Sequence, residues 1–152
     1  MQKQDIFSDE YFMKQALIQA QIAFEKGEVP IGAVVVCNKR IISKAHNLTE
    51  TLNDTTAHAE MLAITAASNF LGAKYLRECT LYVTVEPCVM CAGAAYWSQI
   101  GKIVYGTKDD KRGYSVFNKQ IIHPKTKISA GVSEPECKAL ITNFFYEIRI
   151  KE

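Results

Sequence analysis

The stretch TLYVTVEPCVMCAGAAYWSQIGKIVY, residues 80–105, decides the fold. Thr80 to Val85 alternates in the manner of a strand. Pro87 then suits the first turn of a helix, where its missing N–H is no loss. That helix is predicted to run to about Gln99, and Ile103 to Tyr105 form the next strand. Upstream, Thr55 or Thr56 reads as the cap of a helix that runs to about Phe70 and stops before Gly72. Ile31 to Cys37 is a nearly continuous, valine-rich apolar run, as a buried strand requires. Asn38-Lys39 is read as a tight turn into a second strand from Arg40 to His46. Before these, Ser8 caps a first helix with Asp9 and Glu10 at its positive end. Phe12, Ala16, Leu17, Ala20, Ala23 and Phe24 keep helical spacing until Gly27. Downstream, the gap between Tyr105 and a short strand near Ile128 is long enough for a crossover, so the last two strands are expected to be parallel. Ser133 and Glu136 read as a capping box for a final helix to about Arg149. This order implies an α/β fold: a three-layer α-β-α arrangement around a central five-stranded mixed sheet.

At 152 residues and 48% hydrophobic content, the chain suits a single domain, residues 1–152, that buries a core without disulfides. The segment from Met1 to Asp9 is polar, and no apolar run approaches bilayer length, so a cytoplasmic protein with no membrane partner is expected. Five cysteines are an odd number in such a chain and argue against a disulfide framework. Cys37, Cys79 and Cys137 are scattered and read as core residues. The net charge of +2 is too small to signal nucleic-acid binding, but its distribution is uneven. Lys102, Lys108, Lys111, Arg112, Lys119, Lys125 and Lys127 face only Asp109 and Asp110, so this segment carries +5. It is either a solvated surface or a phosphate-contacting edge.

Two short blocks carry chemistry. Thr56-Ala57-His58-Ala59-Glu60 opens one helix, and Glu86-Pro87-Cys88-Val89-Met90-Cys91 opens the next. Cysteines three apart in a first helical turn share a face, and helix N-termini favour the thiolate that binds metal. With His58 they make three ligands suited to one Zn²⁺ per chain, leaving a fourth position for water as catalytic sites do. Glu60, two residues from His58, stands where a carboxylate could move protons without binding the metal. Either block alone is a weak signal. Together, His-x-Glu and Pro-Cys-x-x-Cys form the signature of the zinc deaminases.

From about Tyr11 to Arg149 the sequence resembles the bacterial tRNA-specific adenosine deaminases of the cytidine deaminase-like superfamily. The resemblance rests on Gly27-Glu28-Val29-Pro30-Ile31-Gly32-Ala33-Val34, Asn47, the Thr-Ala-His-Ala-Glu block, Leu81 through Gly93, and Phe144-Phe145. It implies a hydrolase of cyclic amidine C–N bonds that converts adenosine to inosine at the wobble position of a tRNA anticodon loop, as a homodimer. It places Asn47 in a hydrogen bond to the base, with Val29, Pro30 and Ile31 lining the pocket. Thr55 stands where the family usually has proline. Tyr114-Ser115 follows Lys111-Arg112-Gly113 where the family has a small-residue stretch.

Two other functions compete with this one. The first is the same zinc chemistry on a free base, guanine or cytosine, which Ala95-Tyr96-Trp97 faintly suggests. A free base offers no phosphates to the basic segment. The second is a non-catalytic RNA-binding subunit with structural zinc, which should lack Glu60 or supply a fourth ligand; Cys79 is the one remote candidate. For an RNA substrate, Lys111 and Arg112 are expected near the mouth of the metal site. Phe144, Phe145 and Arg149 are expected to offer stacking or backbone contacts.

Overall fold

Ser8 caps α1 (Asp9–Glu25) as predicted: its side chain accepts the Tyr11 N–H at 3.1 Å. The computed structural model describes residues 7–151. β1 (Gly32–Cys37) turns through Asn38 and Lys39, both with positive φ (51° and 64°), into β2 (Arg40–His46). Two successive left-handed residues match the right-handed strand twist of a two-residue hairpin. α2 (Ala59–Leu71), β3 (Cys79–Val85), α3 (Val89–Ser98) and β4 (Lys102–Thr107) follow. A one-turn α4 (Tyr114–Phe117), a short 3-10 turn, β5 (Lys127–Ala130) and α5 (Glu134–Lys151) complete the order.

The sheet order is β2-β1-β3-β4-β5. β1 is antiparallel to both neighbours, whereas β3, β4 and β5 run parallel. The expected five-stranded mixed sheet is present, and its parallel part includes β3 as well as the last two strands. Alternation along β1 feeds two cores. Ala33 and Val35 face Ala59, Ala63 and Ala67 of α2 and Ala92 and Ala95 of α3. Val34 and Val36 face Phe12, Met13 and Ala16 of α1, with Cys137 of α5 on the same side. Alanine on α2 and α3 lets those helices lie close to the sheet. On the other face, Gly32 does the same for α1, because a Cβ there would collide with the backbone at Ala16 and Ala20. Among the described residues, no helix is long and apolar enough to cross a membrane.

Three local expectations are corrected. The N-cap position of α2 is His58 rather than Thr55 or Thr56, and Asp54 Oδ1 takes both the amide and the hydroxyl of Thr56 at 2.8 Å. Pro87 precedes the cap of α3, which is Cys88, instead of lying inside the first turn. Ser133 has φ 55°, outside the extended conformation of a capping residue, so the capping box does not form.

Candidate active site

The strand register gathers the chemistry at one end of the sheet. The pairs Gly32↔His46, Ala33↔Val83 and Val85↔Thr107 put the start of β1 beside the ends of β2, β3 and β4. Val29 to Ile31, Asn47, Glu86 to Cys88, and Lys108 to Arg112 are the continuations of those strand ends. Ligands commonly bind outside the carboxyl ends of parallel strands.

Within this end, His58 Nδ1 lies 3.6 Å from both Cys88 Sγ and Cys91 Sγ. These three ligand atoms all fall within 4.8 Å of one another, and together they could hold a metal ion. His58 and Cys88 are the N-caps of α2 and α3, yet neither side chain caps its helix. Both point at the shared centre instead, so two helix N-termini direct their positive ends there. A hydrogen bond from Cys91 holds the Cys88 thiol down at about 4, against the penalty of burial and with help from His58. The same hydrogen bond pushes Cys91 up, and burial adds to it. His58 is raised by its hydrogen bond to Cys88.

Glu60 sits in the first turn of α2, 3% exposed, and its Oε1 has no hydrogen-bond partner. Burial pushes its carboxyl up to about 7. A buried acceptor without a partner is costly, and such atoms concentrate where a ligand or water completes the shell.

The structure sorts the other residues. Asn47 is buried, and its amide lies 3.5 Å from the Val29 carbonyl while its Oδ1 accepts the Thr49 N–H. Pro30 is fully buried, whereas Val29 and Ile31 are half-buried at the site end of β1. Lys111 and Arg112 are exposed, and the next residue, Gly113, bridges to Cys88. Phe144 is buried against Phe24 of α1, with ring centroids 5.7 Å apart, so that ring packs two helices together and is not presented for stacking. Phe145 and Arg149 are exposed on α5. The basic segment is divided: Lys102 and Lys127 pair at the opposite end of β4 and β5, and Lys102 bonds Asp9 at 3.6 Å. Cys79 lies opposite Cys37 at the far end of β3, which removes it as a ligand.

Two buried carboxylates were not singled out from the sequence. Glu28 accepts the Glu50 and Thr51 amides at 3.0 and 2.7 Å and the Thr51 hydroxyl at 2.7 Å. Glu86 accepts the Asp109 and Ser115 amides at 3.2 and 3.0 Å and the Ser115 hydroxyl at 2.6 Å. The available signal was an acidic residue within two positions of a Pro and near an apolar strand at each place.

A family model for MafB19-like deaminases matches residues 7–149. The tRNA-specific adenosine deaminase of Bacillus subtilis is 46% identical over 149 residues, which is 95% of this chain and 92% of that protein. A solved structure from studies of A-to-I editing by tRNA:A34 deaminases superposes with a TM-score of 0.80 at 40% identity, covering 86% of this chain and 98% of that one. The guanine deaminase from Bacillus subtilis superposes with a TM-score of 0.64 at 41% identity, over 66% of this chain and 65% of that one.

Proposed function

We infer that this chain, which belongs to the MafB19-like deaminases and to the tRNA-specific adenosine deaminases, converts adenosine to inosine at the wobble position of a tRNA anticodon. The observation that carries the reading is the trio of His58, Cys88 and Cys91 beside a buried carboxylate whose oxygen has no partner.

The trio fits zinc. A tetrahedral ion about 2.3 Å from sulfur and about 2.0 Å from nitrogen sets the sulfur–nitrogen separation near 3.5 Å. His58 lies 3.6 Å from each cysteine sulfur. His58 Nδ1, Cys88 Sγ and Cys91 Sγ would hold the ion. When bound, zinc supplies the Lewis acidity that lets water lose its proton near neutral pH. Glu60 would take a proton at Oε1 from the attacking water and pass it to the ring nitrogen as the water oxygen bonds to the amino-bearing carbon. It would then carry the second water proton to the amine as the carbon–nitrogen bond breaks and ammonia leaves. A carboxyl at about 7 is suited to both directions of transfer near neutral pH. Asn47, Val29 and Ile31 border the base from the ends of β1 and β2. Lys111 and Arg112 meet the flanking phosphates of the loop, and Phe145 and Arg149 extend that contact from α5.

The reading carries a cytoplasmic setting and a homodimer. Trp97 is 78% exposed on α3, and Val116 and Phe117 are exposed on the adjoining α4. Apolar surface of this kind supports cover by a second copy. Free guanine is the second reading, favoured by the guanine deaminase likeness, which spans less of the chain than the tRNA deaminase likeness.

Metal analysis tests the centre. The purified protein should contain one zinc per chain, lose inosine formation on chelation, and regain it when zinc is returned. Full activity in metal-free protein would contradict the assignment.

A further inference from the structure

Glu86 stands between the last residue of β3 and the Pro87-Cys88 pair, with its carboxylate 3% exposed. Its three partners, the amides of Asp109 and Ser115 and the hydroxyl of Ser115, are neutral donors from the two ends of one loop. An ionised carboxylate is buried at great cost unless such donors surround it. The loop closes on the carboxylate tightly: a Cβ on Gly113 would lie 2.5 Å from both Glu86 oxygens. The same loop is stitched to the metal-ligand segment by the Tyr114 N–H to Pro87 carbonyl bond at 2.9 Å and by the Cys88–Gly113 bridge. Its tip is a turn in which Asp109 Oδ1 accepts the Lys111 and Arg112 amides at 3.1 and 2.9 Å. The two cations thus ride on a turn whose ends are both fastened to one buried carboxylate.

We propose that Glu86, with Ser115 and Gly113, is a positioning residue that fixes Lys111 and Arg112 at a set place beside Cys88, so that RNA phosphates are met while the base enters the site. Tyr114-Ser115, where the chain departs from the family pattern, thereby acquires a role: Ser115 supplies two of the three bonds to Glu86. The proposal rests on the tRNA reading above. It assigns Glu86 to substrate placement and not to proton transfer.

Ser115→Ala removes one donor with little risk to folding, and Ser115→Thr restores it. The readouts are steady-state kinetics on an anticodon stem–loop RNA and trypsin cleavage after Lys111 or Arg112 in the RNA-free, zinc-loaded protein. Ser115→Ala should raise KM and the cleavage rate roughly tenfold, the change expected for losing one hydrogen bond to a charged group. Its kcat and zinc content should hold, and Ser115→Thr should behave as wild type. Glu86→Gln should move both readouts further in the same direction. Unchanged cleavage in Ser115→Ala overturns the clamp. Faster cleavage with unchanged KM, or a fall in kcat with zinc loss, overturns the positioning role. A wild-type protein inactive on RNA would contradict the substrate reading instead, and the cleavage comparison would still decide the clamp.

Discussion

In the proposed reaction, Glu60 is the residue that moves protons. Its environment combines full burial, an unpartnered Oε1, and a carboxyl raised by that burial to about 7. Those are the properties of a group that carries a proton back and forth, since either protonation state is accessible near neutral pH. Glu60→Gln keeps the shape and removes the proton-carrying ability. It should leave zinc content and RNA affinity near wild type while lowering kcat by about 10²–10⁴-fold. Zinc loss in that variant, measured by metal analysis, would instead make Glu60 part of the metal shell. The residue spacing already pointed to this role. What the sequence could not supply was the burial that raises the carboxyl, because it comes from the packing of α2 against the sheet.

At the scale of elements, strands and helices were legible wherever the pattern was local. β2 begins at Arg40 and ends at His46 as read, and the valine run of β1 is buried on both faces. Turns and caps were less legible, because they depend on competition between nearby groups. Asp54 takes Thr56 away from α2, and Ser133 adopts a left-handed backbone. The loop-holding carboxylates were not legible, because their partners are distant in sequence: Glu28 bonds residues 50 and 51, and Glu86 bonds residues 109 and 115. Glu28 also carries a pH signature. Burial raises its carboxyl, but the combined hydrogen bonds from Thr51, Glu50 and Thr49 outweigh this and leave it below the ordinary 4.5. A carboxyl lowered by folding contributes stability that is present above its unfolded value and lost as pH falls through the folded one. Glu28→Gln should therefore cost about 1–3 kcal/mol at pH 7, the worth of hydrogen bonds to a charged acceptor. Its deficit relative to wild type should shrink once the pH drops below 4.5, as denaturant titrations at neutral and acid pH would reveal. A deficit independent of pH would show that the carboxylate charge has no part in holding that loop.

For the whole molecule, the mixed sheet explains why the candidate site gathers at one end. Antiparallel β1 and β2 deliver Val29 to Ile31 and Asn47 to the end where parallel β3 and β4 deliver Cys88 and the Lys111–Arg112 turn. Charge follows the same division. Lys102 and Lys127 stand at the opposite end, so the +5 segment read from the sequence separates into two groups. The cations of the loop after β4, Lys111 and Arg112, are the ones beside Cys88. Replacing Lys111 and Arg112 together with alanine should weaken tRNA binding and reduce the slope of log affinity against log salt by about 1–2, with zinc content intact. Equal salt slopes in variant and wild type would mark the turn as an ordinary solvated surface. Whether this end of the sheet receives adenosine within an anticodon is decided by a single competition. The zinc-loaded protein is given an anticodon stem–loop with adenosine at the wobble position together with free guanine and cytosine, and the products are identified by mass spectrometry. Inosine is expected at the wobble position, with guanine and cytosine recovered unchanged; xanthine or uracil formed while the stem–loop stays intact would overturn the tRNA substrate.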